Sequence, residues 1–180
     1  PKATVRLEDK KIIIEPIPDL LKLGGILKNK KIKGKSVKEI IKLEEEPIAA
    51  AVSKKHYQLI KYIVDTNVFL RFLLKDTNKY FKKTRRYFLQ AKKHQITLIL
   101  LPVVVLEINY VLKGVYSLSR QESAKSLSSL LKSPLLMVKE RKTLIKAVDS
   151  YEKIKIDLAD VYLSAAAQEE NAKVLSFDKD

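Results

Sequence analysis

The chain contains no cysteine. Disulfides, thiol nucleophiles and thiolate metal sites are therefore excluded. Long apolar runs are also missing. Lys or Asp interrupts every candidate before it reaches the ~18–20 residues that span a bilayer. A signal-peptide pattern is lacking at the N-terminus, where Arg6, Glu8 and Asp9 break the apolar stretch. These absences lead us to expect a cytoplasmic protein with no membrane partner.

What is present suits a globular chain. Its 180 residues, 46% of them apolar, suggest one domain of ordinary size with an appendage, or two small ones. The formal net charge is +15, from 36 basic and 21 acidic residues. Such an excess favours polyanionic partners, nucleic acid first. A chain that simply uses Lys as its solvated residue would show the same excess. The charge is also spread along the chain, with +6 in residues 1–58 and +9 in residues 59–180.

Two segments of different character meet near residue 58. In the first, residues 11–15 (KIIIE) read as a strand, closed by Pro16 and Pro18. Leu20 to Leu27 contains Gly24-Gly25 and predicts a short helix or turn. A basic run covers Lys28 to Lys38. Ser36 and Glu39 predict a capping box for a helix from Val37 to about Glu46, ended by Pro47. This segment has too little apolar material for a core of its own and needs a partner surface.

The second segment alternates strands and helices. Strands are predicted at residues 62–64, 96–101, 135–138 and 174–177. Helices are predicted at 68–74, 78–92, from Pro102 to about Lys113, from the Ser119 cap to about Leu131, at 143–154 and from Asp157 through Asn171. Short apolar strands separated by helices indicate an α/β fold with a central parallel sheet flanked by helices.

Ligands of such sheets gather at the carboxyl ends of the strands. Asp65 ends the first strand there, and Asp178 follows the last. Glu107 lies about one turn into the helix after the second strand. Asp160 lies in the first turn of the final helix, three residues after Asp157, and reads as the inward member of that pair. Four carboxylates packed together would repel one another. A hard divalent ion such as Mg²⁺ or Mn²⁺ resolves that conflict, because it takes oxygen ligands. It can also activate water against a phosphodiester. No histidine is required, and only His56 and His94 are present. Singly, each acid has a plainer explanation. Asp65 and Asp157 could be helix caps, Glu107 a solvated helix position and Asp178 a turn residue. Their joint order and spacing carry the argument.

The run Tyr62-Ile-Val-Asp-Thr-Asn-Val-Phe-Leu70 resembles the opening motif of PIN domains. Pro102-Val-Val-Val-Leu-Glu-Ile108 resembles their second motif and Asp157-Leu-Ala-Asp-Val-Tyr-Leu-Ser-Ala-Ala-Ala167 their third. Val174-Leu-Ser-Phe-Asp-Lys-Asp180 resembles the fourth. The resemblance covers roughly residues 60–180 and is closest to the VapC-type toxins of toxin–antitoxin systems. It implies a PIN-like (Rossmann-like) fold and Mg²⁺- or Mn²⁺-dependent cleavage of RNA. Asp65, Glu107, Asp160 and Asp178 would be the catalytic, metal-binding acids. Asn67 and Ser176 would be polar supports, and Asp157 an auxiliary acid. A homodimer through the PIN domain is implied too. Arg71, Lys75, Lys82, Arg85 and Arg86 are candidates for holding the RNA backbone, or a solvated helix face. Tyr80, Phe81, Tyr87 and Phe88 could stack on bases, although helical spacing assigns Phe81 and Phe88 to the core. Family members usually continue for a further short strand after the fourth motif, so the chain reads as short at its C-terminus.

Residues 4–46 resemble the back half of an AbrB-type antitoxin of the VapB kind. Asp9-Lys-Lys-Ile-Ile-Ile-Glu-Pro-Ile17 is similar to the last strand of that DNA-binding fold. Leu20 to Lys28 is similar to the toxin-binding tail that follows. The front half of that fold is missing, which puts DNA binding by this chain alone in doubt. The order suggests an antitoxin tail fused to its toxin, with residues 1–58 as the antitoxin-like segment and 59–180 as the nuclease. Residues 17–46 would lie across the nuclease, with a cation from Lys28, Lys30, Lys31 or Lys33 pointing into the acids. A cognate antitoxin could act in trans instead. The alternative reading is a catalytically silent fusion that assembles or binds nucleic acid. A third is a PIN nuclease acting on structured DNA or in RNA maturation.

Overall fold

The structure, a computed structural model, describes residues 3–8, 11–16, 20–25, 60–75 and 78–177. At its centre lie three parallel strands: β3 (Ile60–Ile63), β4 (Ile96–Leu100) and β5 (Leu136–Val138), in spatial order β3-β4-β5. Ile60 is in register with Ile96, and Leu98 with Leu136. The ladder extends past the strand ends: Val64 N–H donates to Ile99 O, and Lys139 N–H to Leu100 O, each at 2.9 Å. Each crossover contains two helices. Helices α1 (Thr66–Leu74) and α2 (Asn78–Lys92) join β3 to β4; α3 (Pro102–Gly114) and α4 (Arg120–Leu131) join β4 to β5. Helices α5 (Arg141–Tyr151) and α6 (Leu158–Glu169) follow. The expected α/β fold, a parallel sheet flanked by helices, is the one observed.

The elements follow from local chemistry. In β4 the side chains of Ile96, Leu98 and Leu100 are buried, while those between them are half-buried. That alternation is the period of a central strand. Pro102 opens α3, where its missing N–H costs nothing. The capping box of α4 is complete: Ser119 N–H donates to Glu122 Oε2 at 2.9 Å, and Glu122 N–H to Ser119 Oγ at 3.2 Å. Phe69, Phe72 and Phe88 interlock in the core, with Phe72 and Phe88 edge to face. Phe88 is core, as its helical spacing indicates, and Phe81 stacks on Phe72. The same spacing places Tyr87 half-buried and Ala91 buried.

The N-terminal residues differ in part from the sequence reading. Strand β2 (Lys11–Pro16) pairs antiparallel with a strand not anticipated, β1 (Ala3–Glu8). The alternation Thr4-Val5-Arg6-Leu7-Glu8 is itself a strand signal. Pro16 belongs to β2, opposite Ala3, rather than lying beyond it. Leu20–Leu23 forms a single 3₁₀ turn, followed by a turn at Gly24 and Gly25. Leu20 is 0% exposed and lies in the same core as the helices; Leu21 and Leu23 pack on that core. Gly25 takes φ +82° and donates its N–H to Phe72 O at 2.9 Å. A side chain at Gly24 would meet Phe81 Cε2 at 2.9 Å and Phe72 Cζ at 3.0 Å. Only glycine lets the backbone lie this close to the two rings. The predicted helix from Val37 to about Glu46 lies outside the described residues.

Residues 174–177 require a correction. They form no strand. Leu175 and Phe177 are 92% and 98% exposed. A strand is ordered only where ladder bonds and burial offset the entropy of fixing it. This segment has neither here. Among the described residues β3 pairs with β4 alone, and Ile60, Tyr62 and Ile63 are exposed.

Two arginines and one tyrosine fix the helices that follow the sheet. Arg141 donates to the carbonyls of Leu131, Ser133 and Leu136, clamping the turn that enters β5. Burial lowers its pKa. Arg120 donates to Tyr151 O and Ile156 O at 3.1 and 2.6 Å and stacks over the Tyr151 ring, which sets the path into α6. Tyr162 of α6 donates its O–H to Glu140, the residue after the β5 turn. Burial, then the hydrogen bond to Glu140 and its charge, push the Tyr162 phenol up to about 12.

Two predictions follow from these contacts. Leu20→Ala should destabilise the chain by about 2–5 kcal/mol, the range for emptying a buried leucine site. Urea denaturation measures this, and an unchanged midpoint would show that the 3₁₀ turn is not part of the core. For Tyr162 the folded pKa is raised, so its contribution to stability is complete below the ordinary phenol pKa of 10.0 and is lost as pH rises through about 12. The ultraviolet titration difference between wild type and Tyr162→Phe should therefore centre near 12. Glu140→Gln should move it down. A midpoint at the ordinary value would contradict the Glu140 contact.

Candidate active site

The parallel sheet turns three strand ends toward one edge, and the acidic residues lie on the elements that leave it. Asp65 lies two residues past the end of β3 and is the N-cap of α1. Its Oδ2 accepts from Asn67 N–H at 3.3 Å. The helix begins at Thr66, two residues before the sequence pattern suggests, because Asp65 supplies the cap. The carboxylate is exposed, so it satisfies the helix end and still faces outward.

Thr66 ties the first motif to the second. It is 2% exposed, and its Oγ1 donates to Glu107 Oε2 at 2.5 Å. Glu107 is on α3, 41 residues away. A buried hydroxyl needs a partner, and a carboxylate is a strong one. Asp65 and Thr66 are consecutive, so this bond fixes the Asp65 backbone relative to the Glu107 carboxylate. Sequence reasoning named Asn67 and Ser176 as polar supports and missed Thr66. The signal available was a hydroxyl residue directly after the acid.

Asp157 and Asp160 belong to the start of α6. Asp157 is its N-cap by position, but its side chain makes no capping hydrogen bond. Asp157 is thus the N-cap the sequence suggests, with its side chain turned elsewhere. Its Oδ1 lies 3.5 Å from Lys113 Nζ of α3. Asp160 does not point inward as the sequence suggests but is exposed in the first turn, where a negative charge meets the positive end of the helix dipole. Helices α3 and α6 are in contact. Ser176 is exposed. Asp178, Lys28, Lys30, Lys31 and Lys33 lie outside the described residues.

Among the described residues, no three His, Asp or Glu side chains stand close enough together to hold a metal ion. The structure brings Glu107 to the Asp65-Thr66 turn and leaves Asp160 outside any such group. The donor chemistry still suits a hard divalent cation, since it consists of carboxylate and hydroxyl oxygens. Of the basic candidates, Arg71 stacks over the Tyr80 ring at 4.0 Å, and Lys75 lies 5.3 Å from the centre of the Phe81 ring. Lys82, Arg85 and Arg86 are exposed on α2. No helix among the described residues is long and apolar enough to cross a membrane.

No curated protein and no solved structure matches the chain. A family model described as the PIN domain matches residues 62–180. PIN domains are generally metal-dependent nucleases, which supports a hydrolase acting on nucleic acid. With its Asp-Thr-Asn turn, the α3 glutamate and the acids of α6 all inside the matched region, the chain belongs to the PIN domain family.

Proposed function

We propose that the chain is a Mg²⁺- or Mn²⁺-dependent endoribonuclease toxin of the VapC type, restrained by the antitoxin-like segment that precedes it. The observation that carries this reading is the 2.5 Å bond from Thr66 Oγ1 to Glu107 Oε2. It joins the first two acidic motifs at the carboxyl edge of the sheet, where open α/β folds bind their ligands. A divalent ion held by Asp65, Glu107, Asp160 and Asp178 would supply a Lewis acid for a phosphodiester. The chain's own residues would do the rest. A carboxylate orients the attacking water and takes its proton. Thr66 and Asn67 hold the acidic turn in place. Exposed Lys82, Arg85 and Arg86 offer charges to the RNA backbone. The domain would act as a homodimer.

The N-terminal restraint rests on packing. Leu20 is buried in the nuclease core, and Gly25 bonds to Phe72 of α1. A segment anchored there can carry Lys28, Lys30, Lys31 and Lys33 across the domain. The second reading, a catalytically silent fusion, is favoured by one observation: the described acids do not gather in a group of three.

The full chain should cleave mixed RNA with Mg²⁺ or Mn²⁺, and EDTA or Asp65→Ala should abolish cleavage. Thr66→Val removes the hydroxyl but keeps the shape, and should lower the rate roughly 10–100-fold, as loss of a partner to a metal ligand does. Replacing Lys28, Lys30, Lys31 and Lys33 with Ala in the intact chain should raise the rate. That variant tests restraint better than deleting residues 1–58, which would also remove Leu20 from the core. Absence of cleavage with either metal, in both the wild type and the lysine variant, would favour the silent fusion.

A further inference from the structure

A groove of about 430 Å³ runs between α3 and α6. Its walls include Leu106, Asn109, Tyr110, Lys113, Asp157 and Leu158. The volume is in the range of pockets that hold a small organic group. The groove shares its two helices with the candidate acids. Glu107 and Tyr110 are three residues apart on α3, and Asp157 and Asp160 three apart at the start of α6, which is neighbouring spacing on a helix surface.

Its polar and aromatic groups are specific in kind. Tyr110 is 75% exposed, and no ring contact or hydrogen bond engages it among the described residues. Asn109 is 6% exposed, and its Oδ1 accepts from Ser123 Oγ at 2.7 Å. The amide nitrogen is thus the atom it has left to donate. Lys113 is held 3.5 Å from Asp157 and 5.8 Å from the centre of the Tyr151 ring. Gly114 also lines the groove, and a side-chain carbon there would meet nothing within 4 Å. That end of the groove is open.

We propose that this groove is a nucleotide subsite for single-stranded RNA, with a base stacked on Tyr110, its edge met by Asn109 and the adjoining phosphate met by Lys113. The proposal rests on the nuclease reading and adds the residues that position its substrate. Aromatic faces bind bases without regard to sequence, and an exposed tyrosine beside an amide and an ammonium offers the complement of one nucleotide. Asp157 refines the choice. It offsets part of the Lys113 charge, which suits the single charge of an internal phosphodiester. A terminal phosphate near −2 would meet the Asp157 carboxylate unfavourably. The groove therefore selects a position within a strand over a free nucleotide.

The test uses the full chain and a short fluorescein-labelled single-stranded RNA of mixed sequence, with binding followed by anisotropy in EDTA. Tyr110→Ala should weaken binding about tenfold, the worth of one stacked base, while Tyr110→Phe keeps the wild-type affinity. Lys113→Gln should lower the slope of log affinity against log salt by about 0.7. Because Tyr110 is exposed, these variants should fold, and circular dichroism checks it. Equal affinity of wild type and Tyr110→Ala, or no binding by the wild type, overturns the subsite. So does a loss of self-association in Tyr110→Ala with RNA affinity unchanged, which would assign the groove to a second copy of the chain. Cleavage separates the two readings. Asp65-dependent cleavage with unchanged KM in Tyr110→Ala sinks the subsite alone. Tyr110-dependent binding without Asp65-dependent cleavage, in the wild type and in the lysine variant alike, sinks the nuclease alone.

Discussion

A threonine hydroxyl buried to 2% exposure must find an acceptor or carry the full cost of its lost hydration. Thr66 finds it in Glu107, across 41 residues of chain. Much of the site's geometry depends on that one contact. It holds the start of α1 against α3, and with it Asp65. The sheet makes the contact possible. Val64 bonds to Ile99 and Lys139 to Leu100 beyond the strands, so the loops that follow leave the sheet in a fixed register. Glu107 accepts from Thr66 while keeping its carboxylate open to solvent. Its neighbours Val105 and Ile108 are buried, while Glu107 is exposed.

The sequence shows most clearly what short-range chemistry decides. Ser119 and Glu122 announce their capping box, and it is formed. Pro102 marks the start of α3, and Asn78–Lys92 is helical over the span its pattern suggests. The order and spacing of Asp65, Glu107 and Asp160 place each on its expected element. Interactions between distant parts of the chain leave no local trace. Thr66 looks like an ordinary residue of a motif until Glu107 is beside it. Arg120 and Arg141 look like surface charges, yet they bind the carbonyls of Tyr151, Ile156, Leu131, Ser133 and Leu136. Residues 174–177 have the composition of a strand, but composition cannot supply a ladder partner.

Asp157 illustrates how one carboxylate is shared between two demands. At an N-cap its usual role is to bind the first free N–H groups of the helix. Here it turns to Lys113 instead. The exchange is cheap, because an exposed helix start can take its hydrogen bonds from water. It links α6 to α3 at the mouth of the groove and tempers the ammonium there. An exposed ion pair of this kind adds little to stability, so its consequence lies in the charge it leaves at the surface.

The same economy governs the segment before the domain. The match to the family begins at residue 62, yet the hydrophobic core takes in Leu20. Gly24 lets the chain approach Phe72 and Phe81 closer than any side chain would allow, and Gly25 closes the contact with a backbone bond. Three leucines and two glycines suffice because the docking surface, α1 and α2, is already ordered by Phe69, Phe72 and Phe88. Removing this turn would open a hole in a packed interior rather than free a surface. Leu20 is therefore part of what holds the domain together. A mutation at Leu20 would loosen the fold, so any effect it had on the proposed restraint would be mixed with that loss. Measured stability alongside activity is what separates the two.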